Sequence, residues 1–156
     1  MYTREELLQM IKEHLPSPGT ELSEFKFLAP EALRTGETEG QPFVVVAEDI
    51  WPCSDGICGM FLMVRADGSV WVADLENNDL VDYCAAGFPQ FMKIMELYQA
   101  ALETTPVPDV FDDESYEKCE EAQRMLRQQI MEIDPTAIAD ENGLWSTRIE
   151  EMEVGM

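Results

Sequence analysis

The sequence predicts an α+β fold, in which strands follow a first helix and further helices dominate the second half. Two apolar runs, Met60–Val64 and Val70–Ala73, flank Ala66-Asp67-Gly68, and Asp-Gly between such runs is a strong signal for a β-hairpin. From Phe88 onward apolar residues recur every three or four positions, the period of an amphipathic helix. The 156 residues indicate one domain, residues 1–156.

Three further strands are predicted outside the hairpin. Phe25 and Phe27 alternate with charged neighbours, which suits a short, half-exposed strand. The continuous run Phe43–Ala47 contains β-branched residues and is predicted to be a central strand. Leu80–Tyr83 would add an edge strand. Because the hairpin strands hold few polar residues, we expect the sheet to be covered on at least one face.

The first two helices have recognisable start signals. Thr3–Glu6 is a capping-box pattern, so a helix is predicted from about Arg4 to His14, ended by Pro16–Gly19. The second helix begins at Phe88, with Gly87 as its cap.

A third helix is predicted after Asp112–Glu114, whose negative charges suit the helix dipole at that end. Its inner face is apolar except at Gln123, and Asp134-Pro135 ends it. The remaining tail, residues 136–156, is expected to be short helical or irregular structure that docks through Trp145.

The connecting segments are predicted from their turn residues and lack of periodicity. Pro30–Leu33 is expected to form a single helical turn, and Arg34–Gln41 a surface loop. Glu48–Ile57 and Leu75–Asp79 are expected to be acidic loops, and Thr104–Asp112 is a loop containing two prolines.

Acidic charge is the unusual property of the composition. The chain has 32 acidic and 10 basic residues, a net charge of −22. Such a chain repels nucleic acid and anionic membranes and attracts basic partners, although solubility alone is an alternative reason for the acidity. No apolar stretch is long enough to span a membrane, and the polar start lacks a signal peptide's apolar core, so a cytoplasmic location is expected.

The four cysteines predict neither a metal site nor a cofactor. Cys53, Cys58, Cys84 and Cys119 lack CxxC spacing, which argues against a zinc ribbon. Reduced thiols are expected, and a Cys53–Cys58 disulfide would require an oxidising compartment.

Several segments together resemble one family. They are Phe43-Val44-Val45-Val46 followed by Glu48-Asp49, Gly68-Ser69-Val70-Trp71 followed by Asp74, Val81 to Phe91, and Asp134-Pro135-Thr136-Ala137 followed by Trp145 and Glu150-Glu151. In these residues the chain is similar to the SUKH superfamily of fungal cell-wall regulators and bacterial toxin-immunity proteins, with the greatest likeness to the fourth SUKH subfamily.

The resemblance implies a fold and a function. The fold is a single α+β domain with a twisted antiparallel sheet flanked by helices. Bacterial members are typically encoded beside polymorphic toxins, many of them nucleases, and neutralise them by binding. We therefore expect a non-catalytic immunity protein whose partner is a basic toxin domain. A regulatory or scaffold module is the alternative, although fungal members of that kind usually carry long disordered extensions.

An enzyme is poorly supported by the residues. The single histidine, His14, lies on the first predicted helix, and the sequence lacks GxSxG, GxxxxGK[ST] and HExxH motifs. A site made only of the carboxylates of Glu48, Asp49 and Asp74 is left open.

The two acidic loops are the predicted partner-binding site, because both should emerge at the ends of central strands. Trp51 would be the apolar anchor and the acids would steer a basic partner; alternatively, Trp51 folds back as a lid on the core. The residues assigned to this site are Glu48, Asp49, Trp51, Asp55, Glu76 and Asp79.

Overall fold

A computed structural model describes residues 1–50, 59–74, 77 and 79–154. The chain divides into two compact units, Met1–Met92 and Lys93–Met156. The structure contains α-helices together with an antiparallel sheet, which confirms the α+β prediction. The prediction of a single domain stays a prediction.

The first unit is built on an antiparallel sheet, which has seven strands in the described part of the chain. Their order is β1-β2-β4-β5-β6-β7, and β3 pairs with the same edge of β4 as β2 does. The strands are β1 Glu21–Leu22, β2 Phe25–Phe27, β3 Arg34–Thr38, β4 Gln41–Asp49, β5 Met60–Arg65, β6 Val70–Asp74 and β7 Asp79–Ala85.

Strand β4 lies at the centre of the sheet, as predicted from its β-branched run. It pairs with β5 on one edge and with β2 and β3 on the other, and Val44 to Ala47 are all buried. It is longer than predicted: Glu48 and Asp49, expected in a loop, extend the strand because they pair with Lys26 and Phe25 of β2.

The prediction of a surface loop over Arg34–Gln41 is wrong. Residues 34–38 form β3, Gln41 begins β4, and Glu39 and Gly40 make the turn between them with φ of +52° and +77°. Positive φ at both positions is the geometry of a type I′ hairpin turn. Gly36 leaves room for the ring of Phe43, since an added Cβ would lie 2.5 Å from a ring atom. Backbone pairing with β4, rather than an apolar pattern, makes this segment a strand.

The predicted hairpin is confirmed as β5 and β6. The Gly68 amide donates to the Arg65 carbonyl at 2.8 Å, and the Arg65 amide donates to the Ser69 carbonyl at 2.9 Å. Gly68 has φ of +90°, which only glycine adopts without strain. The predicted edge strand is also confirmed: β7 lies at one end of the sheet and extends to Ala85.

Helix α1, Arg4–His14, begins with the predicted capping box. The Glu6 amide donates to the Thr3 hydroxyl at 3.2 Å, and the Thr3 amide donates to the Glu6 carboxylate at 3.0 Å. Leu7 and Ile11 are fully buried, and the helix packs against β4. Two apolar side chains of an otherwise polar helix therefore cover the part of the core beside β4.

The single helical turn predicted over Pro30–Leu33 is a 3₁₀ segment, Pro30–Ala32.

The predicted helices of the second half are confirmed. Helix α2 spans Phe88–Thr104 and α3 spans Asp113–Ile133. Asp112 caps α3 by accepting a hydrogen bond from the Glu114 amide at 3.1 Å. Asp134 ends α3, as predicted.

The tail docks through Trp145, as predicted. After the 3₁₀ segment Pro135–Ile138, helix α4 spans Leu144–Glu151. The Trp145 side chain is fully buried and meets the Tyr98 ring edge to face, with 5.6 Å between centroids. This contact joins α4 to the part of α2 that belongs to the second unit.

The polar residue on the inner face of α3 has a structural role. Gln123 is only 5% exposed, and its Nε2 donates to the Ile149 carbonyl of α4 at 2.8 Å. Nearby Cys119 is a buried free thiol whose pKa is raised by burial. Cys84 is also a buried thiol, whereas Cys53 and Cys58 lie outside the described residues.

Replacement of Gln123 by methionine tests the bond between α3 and α4. Gln123→Met keeps the side-chain length but removes the donor, so we expect the free energy of unfolding to fall by about 1 kcal/mol. Gln129→Met on the exposed side of α3 is the matched control and should change stability little. Urea denaturation measures both variants. Equal effects of the two substitutions would contradict a role for the buried hydrogen bond.

The hairpin turn should make stability depend on pH. Burial opposes ionisation of Asp67, but hydrogen bonds from the Ser69 hydroxyl and amide and the charge of Arg65 outweigh it, so the pKa lies below its usual 3.8. A carboxyl group whose pKa is lower in the folded state than in the unfolded state stabilises the fold at pH values above its unfolded-state pKa. This stabilisation is lost as the pH falls through the folded-state pKa.

Asp67→Asn removes this titration. We expect the free energy of unfolding of the wild-type protein to exceed that of the variant by up to about 1 kcal/mol at pH 6. This difference should shrink below pH 3.8. Denaturant titrations between pH 6 and 2.5 measure it. A difference that is constant across this range would show that ionised Asp67 does not stabilise the turn.

Candidate partner-binding surface

The structure describes three of the six residues assigned to partner binding. Glu48 and Asp49 lie at the end of β4, and Asp79 is the first residue of β7. Trp51, Asp55 and Glu76 lie outside the described residues.

The antiparallel order brings the three described acids to the same end of the sheet. Strands β4 and β6 end there and β5 and β7 begin there, since Glu48 pairs with Phe61, Met60 with Asp74, and Asp74 with Asp79. Asp74 joins the group by this pairing, although it was not among the residues predicted to bind a partner. Glu48, Asp49, Asp74 and Asp79 are hereafter the acidic edge.

Asp74 also organises the chain that follows β6. Its carboxylate accepts hydrogen bonds from the Asn77 amide at 3.2 Å and from the Asn77 side-chain nitrogen at 2.7 Å. An aspartate that binds the backbone shortly after it is a common turn-forming device. The acidic edge is therefore set partly by local hydrogen bonds and partly by strand pairing.

The two faces of the sheet differ in exposure. On one face Val44, Leu62, Val64, Val70 and Val72 are buried. The opposite face carries partly exposed aromatic rings, because residues directly opposite in an antiparallel register share a face. These rings belong to Phe43, Phe61, Trp71 and Tyr83 and are hereafter the aromatic face.

Polar groups hold the aromatic face in place. The Arg34 guanidinium lies 4.6 Å from the Phe61 ring centroid and forms an ion pair with Glu48 at 3.6 Å. Trp71 donates its indole N–H to the Ser69 hydroxyl at 2.9 Å and meets Tyr83 edge to face at 5.2 Å. Arg34 therefore links the aromatic face directly to one acid of the acidic edge.

A shallow cleft of about 250 Å³ lies on this side of the sheet and reaches the acidic edge. Phe43 and Met63 supply apolar surface, Arg65 one positive charge, and Asp74 and Asp79 negative charge. The remaining lining residues are Thr38, Glu39, Ala73 and Leu80. A cleft of this composition suits a side chain with an apolar stem and a charged end.

The acids of the carboxylate-only site lie on two strands that are not neighbours. Glu48 and Asp49 lie on β4 and Asp74 lies on β6, with β5 between them, so the backbones are two strand spacings or about 10 Å apart. This spacing argues against a pair of carboxylates that share one proton, because such carboxylates lie about 3 Å apart. His14 is exposed on α1, and its Nδ1 is 3.0 Å from the Met10 carbonyl of the same helix.

A metal-binding cluster and a membrane-spanning helix are both absent from the described residues. No group of three or more His, Cys, Asp or Glu side chains there is placed to hold a metal ion. Over the same part of the chain, no helix combines the length and apolar character required to cross a bilayer.

The aromatic face was missed by the sequence reasoning, which expected Trp51 as the anchor. A signal was present: Phe61, Met63 and Arg65 alternate with Leu62 and Val64 along β5. Alternation places them on the second face of the sheet, but only the register shows that Phe43 and Trp71 join them.

Comparison with known proteins gives the family. The model of the SUKH-4 immunity protein family matches residues 13–151 of the 156-residue chain. Searches of curated proteins and of solved structures found no match to it. Because the family model covers most of the chain, including the whole sheet and all of α2 to α4, this protein belongs to the SUKH-4 immunity protein family.

Proposed function

We propose that this protein neutralises a cognate toxin by binding it directly through the acidic edge and the neighbouring aromatic face. Family membership supports the immunity role. The observation that supports this surface is the convergence of four acids at one end of the sheet beside partly exposed aromatic rings. The protein would meet the toxin in the cytoplasm and would need neither catalysis nor a cofactor to neutralise it.

The charge of the chain favours a basic toxin domain. With a net charge of −22, the protein attracts positive surfaces over the Debye length, about 8 Å at physiological salt. A toxin that cleaves nucleic acid needs a positive surface for its substrate. A nuclease is therefore the toxin class that fits the acidic edge best, and occlusion of its substrate-binding surface would stop its activity.

Aromatic side chains are expected to supply most of the binding energy. Buried aromatics dominate many interfaces, whereas acids at the rim govern association rate and partner choice. Phe61 is partly exposed and already desolvated on one side by Arg34. Trp51, with Asp55 and Glu76, remains part of the proposed surface on the basis of the sequence.

Charge reversal at the acidic edge tests the steering role. Asp49→Lys combined with Asp79→Lys should slow association about tenfold at low salt and little at high salt, because screening weakens long-range attraction. Stopped-flow or biolayer kinetics with the toxin domain encoded beside this chain's gene measure the rates. Asp55→Lys should act in the same direction as Asp49→Lys.

A matched control separates local from overall charge. Glu120→Lys combined with Glu132→Lys on exposed positions of α3 changes the net charge by the same amount. This control should slow association less than the change at the acidic edge. Equal slowing by both pairs would show that only total charge matters.

The proposed function as a whole is tested by binding and protection. The purified protein should recover the neighbouring toxin domain in stoichiometric yield, and co-expression should restore growth of cells that produce the toxin. Absence of binding at low and moderate salt, together with absence of protection, would overturn the proposal.

A further inference from the structure

The loop between α2 and α3 presents apolar side chains to solvent. Phe111 is 95% exposed, Val110 is 71% exposed and Val107 is 55% exposed. Scattered exposed apolar residues are normal on a protein surface, but three within five positions, ending in an almost wholly exposed aromatic ring, are not scattered. Exposed aromatics are characteristic of interface anchors. Val110 and Phe111 are hereafter the tip.

The backbone that carries the tip is held by hydrogen bonds. The Phe111 amide donates to the Asp109 carboxylate at 2.9 Å, and the Asp109 amide donates to the Ser115 hydroxyl at 2.9 Å. The Ser115 hydroxyl in turn donates to the Asp112 carbonyl at 2.7 Å. Binding through a loop that is already ordered costs little conformational entropy. The tip is therefore preorganised for insertion into a partner.

The charges around the tip indicate the partner. Residues 105–117 include Asp109, Asp112, Asp113, Glu114 and Glu117 and contain no lysine, arginine or histidine. An anionic membrane would repel this loop, and so would the same acidic loop of a second copy. An apolar pocket bordered by lysine or arginine side chains on another protein is complementary to both the ring and the acids.

We propose that the tip is a second toxin-binding element, which inserts Phe111 into an apolar, basic-rimmed pocket of the toxin domain; this inference rests on the proposed function. The tip belongs to the second compact unit, whereas the acidic edge belongs to the first. The two contacts are separate parts of the chain, so each can be removed without altering the other.

Substitution of Phe111 tests the inference with the same neighbouring toxin domain as probe. Phe111→Ser should raise Kd about 30-fold, the effect of losing an interface hot spot, mainly through faster dissociation. Phe111→Leu retains a large apolar side chain and should restore most of the affinity. Because the ring is almost entirely in solvent, the melting temperature should stay that of wild type in both variants.

Met125→Ser is the matched control, since Met125 is an exposed apolar residue on α3, 49% exposed and outside the loop. It should change Kd less than about twofold, as a residue outside the interface does. Surface plasmon resonance measures the affinities, and sedimentation velocity measures the oligomeric state of each protein alone.

The outcomes distinguish the two proposals. If the Phe111→Ser variant binds the toxin domain as tightly as the wild-type protein does, this inference is overturned. Binding of the toxin domain by the wild-type protein leaves the proposed function intact in that case. Failure of the wild-type protein to bind overturns both. A wild-type dimer that Phe111→Ser converts to a monomer assigns the tip to self-association and overturns its assignment to the toxin.

Discussion

Pairing of β4 along both edges is the constraint on which the first unit depends. One edge pairs with β5, while the other is divided between β3 and β2. Val44 to Ala47 are consequently buried on both faces of the sheet. Every neighbouring strand is placed by register against this one, so the positions of Glu48, Asp49 and the residues of β5 follow from it. A surface built on paired backbone is held more firmly than one built on loops alone.

This constraint also explains why charge and aromatic surface occur together. Antiparallel pairing brings alternate strand ends to one end of the sheet, and this places Asp74 and Asp79 at the same end as Glu48 and Asp49. The same pairing lines up Phe61 and Trp71 on one face. Arg34 contacts both Phe61 and Glu48, and so couples the two kinds of surface. Steering charge and anchoring surface are the two requirements of fast and stable protein recognition.

The second unit meets the same requirements by different means. Its core depends on Trp145 against Tyr98 and on one buried hydrogen bond from Gln123, which bind α4 to its neighbours. The described loop before α3 then carries an exposed phenylalanine among acids on hydrogen-bonded backbone. Here the order comes from short-range capping interactions of Asp109, Asp112 and Ser115. Exposed surface of mixed apolar and acidic character is thus present in both units.

Local chemistry in the sequence was sufficient for the helices and the hairpin. Each of these features involves residues within a few positions of one another: the capping box at Thr3, the apolar period after Phe88 and the turn at Gly68. They can therefore be predicted from the sequence without knowledge of tertiary contacts. The strand at Arg34–Thr38 could not be predicted in this way, because its stability comes from pairing with β4 rather than from its own polar residues. Likewise, a hydrophobic pattern shows that Phe61 faces away from Leu62, but only the register between strands decides which acids and rings lie beside it.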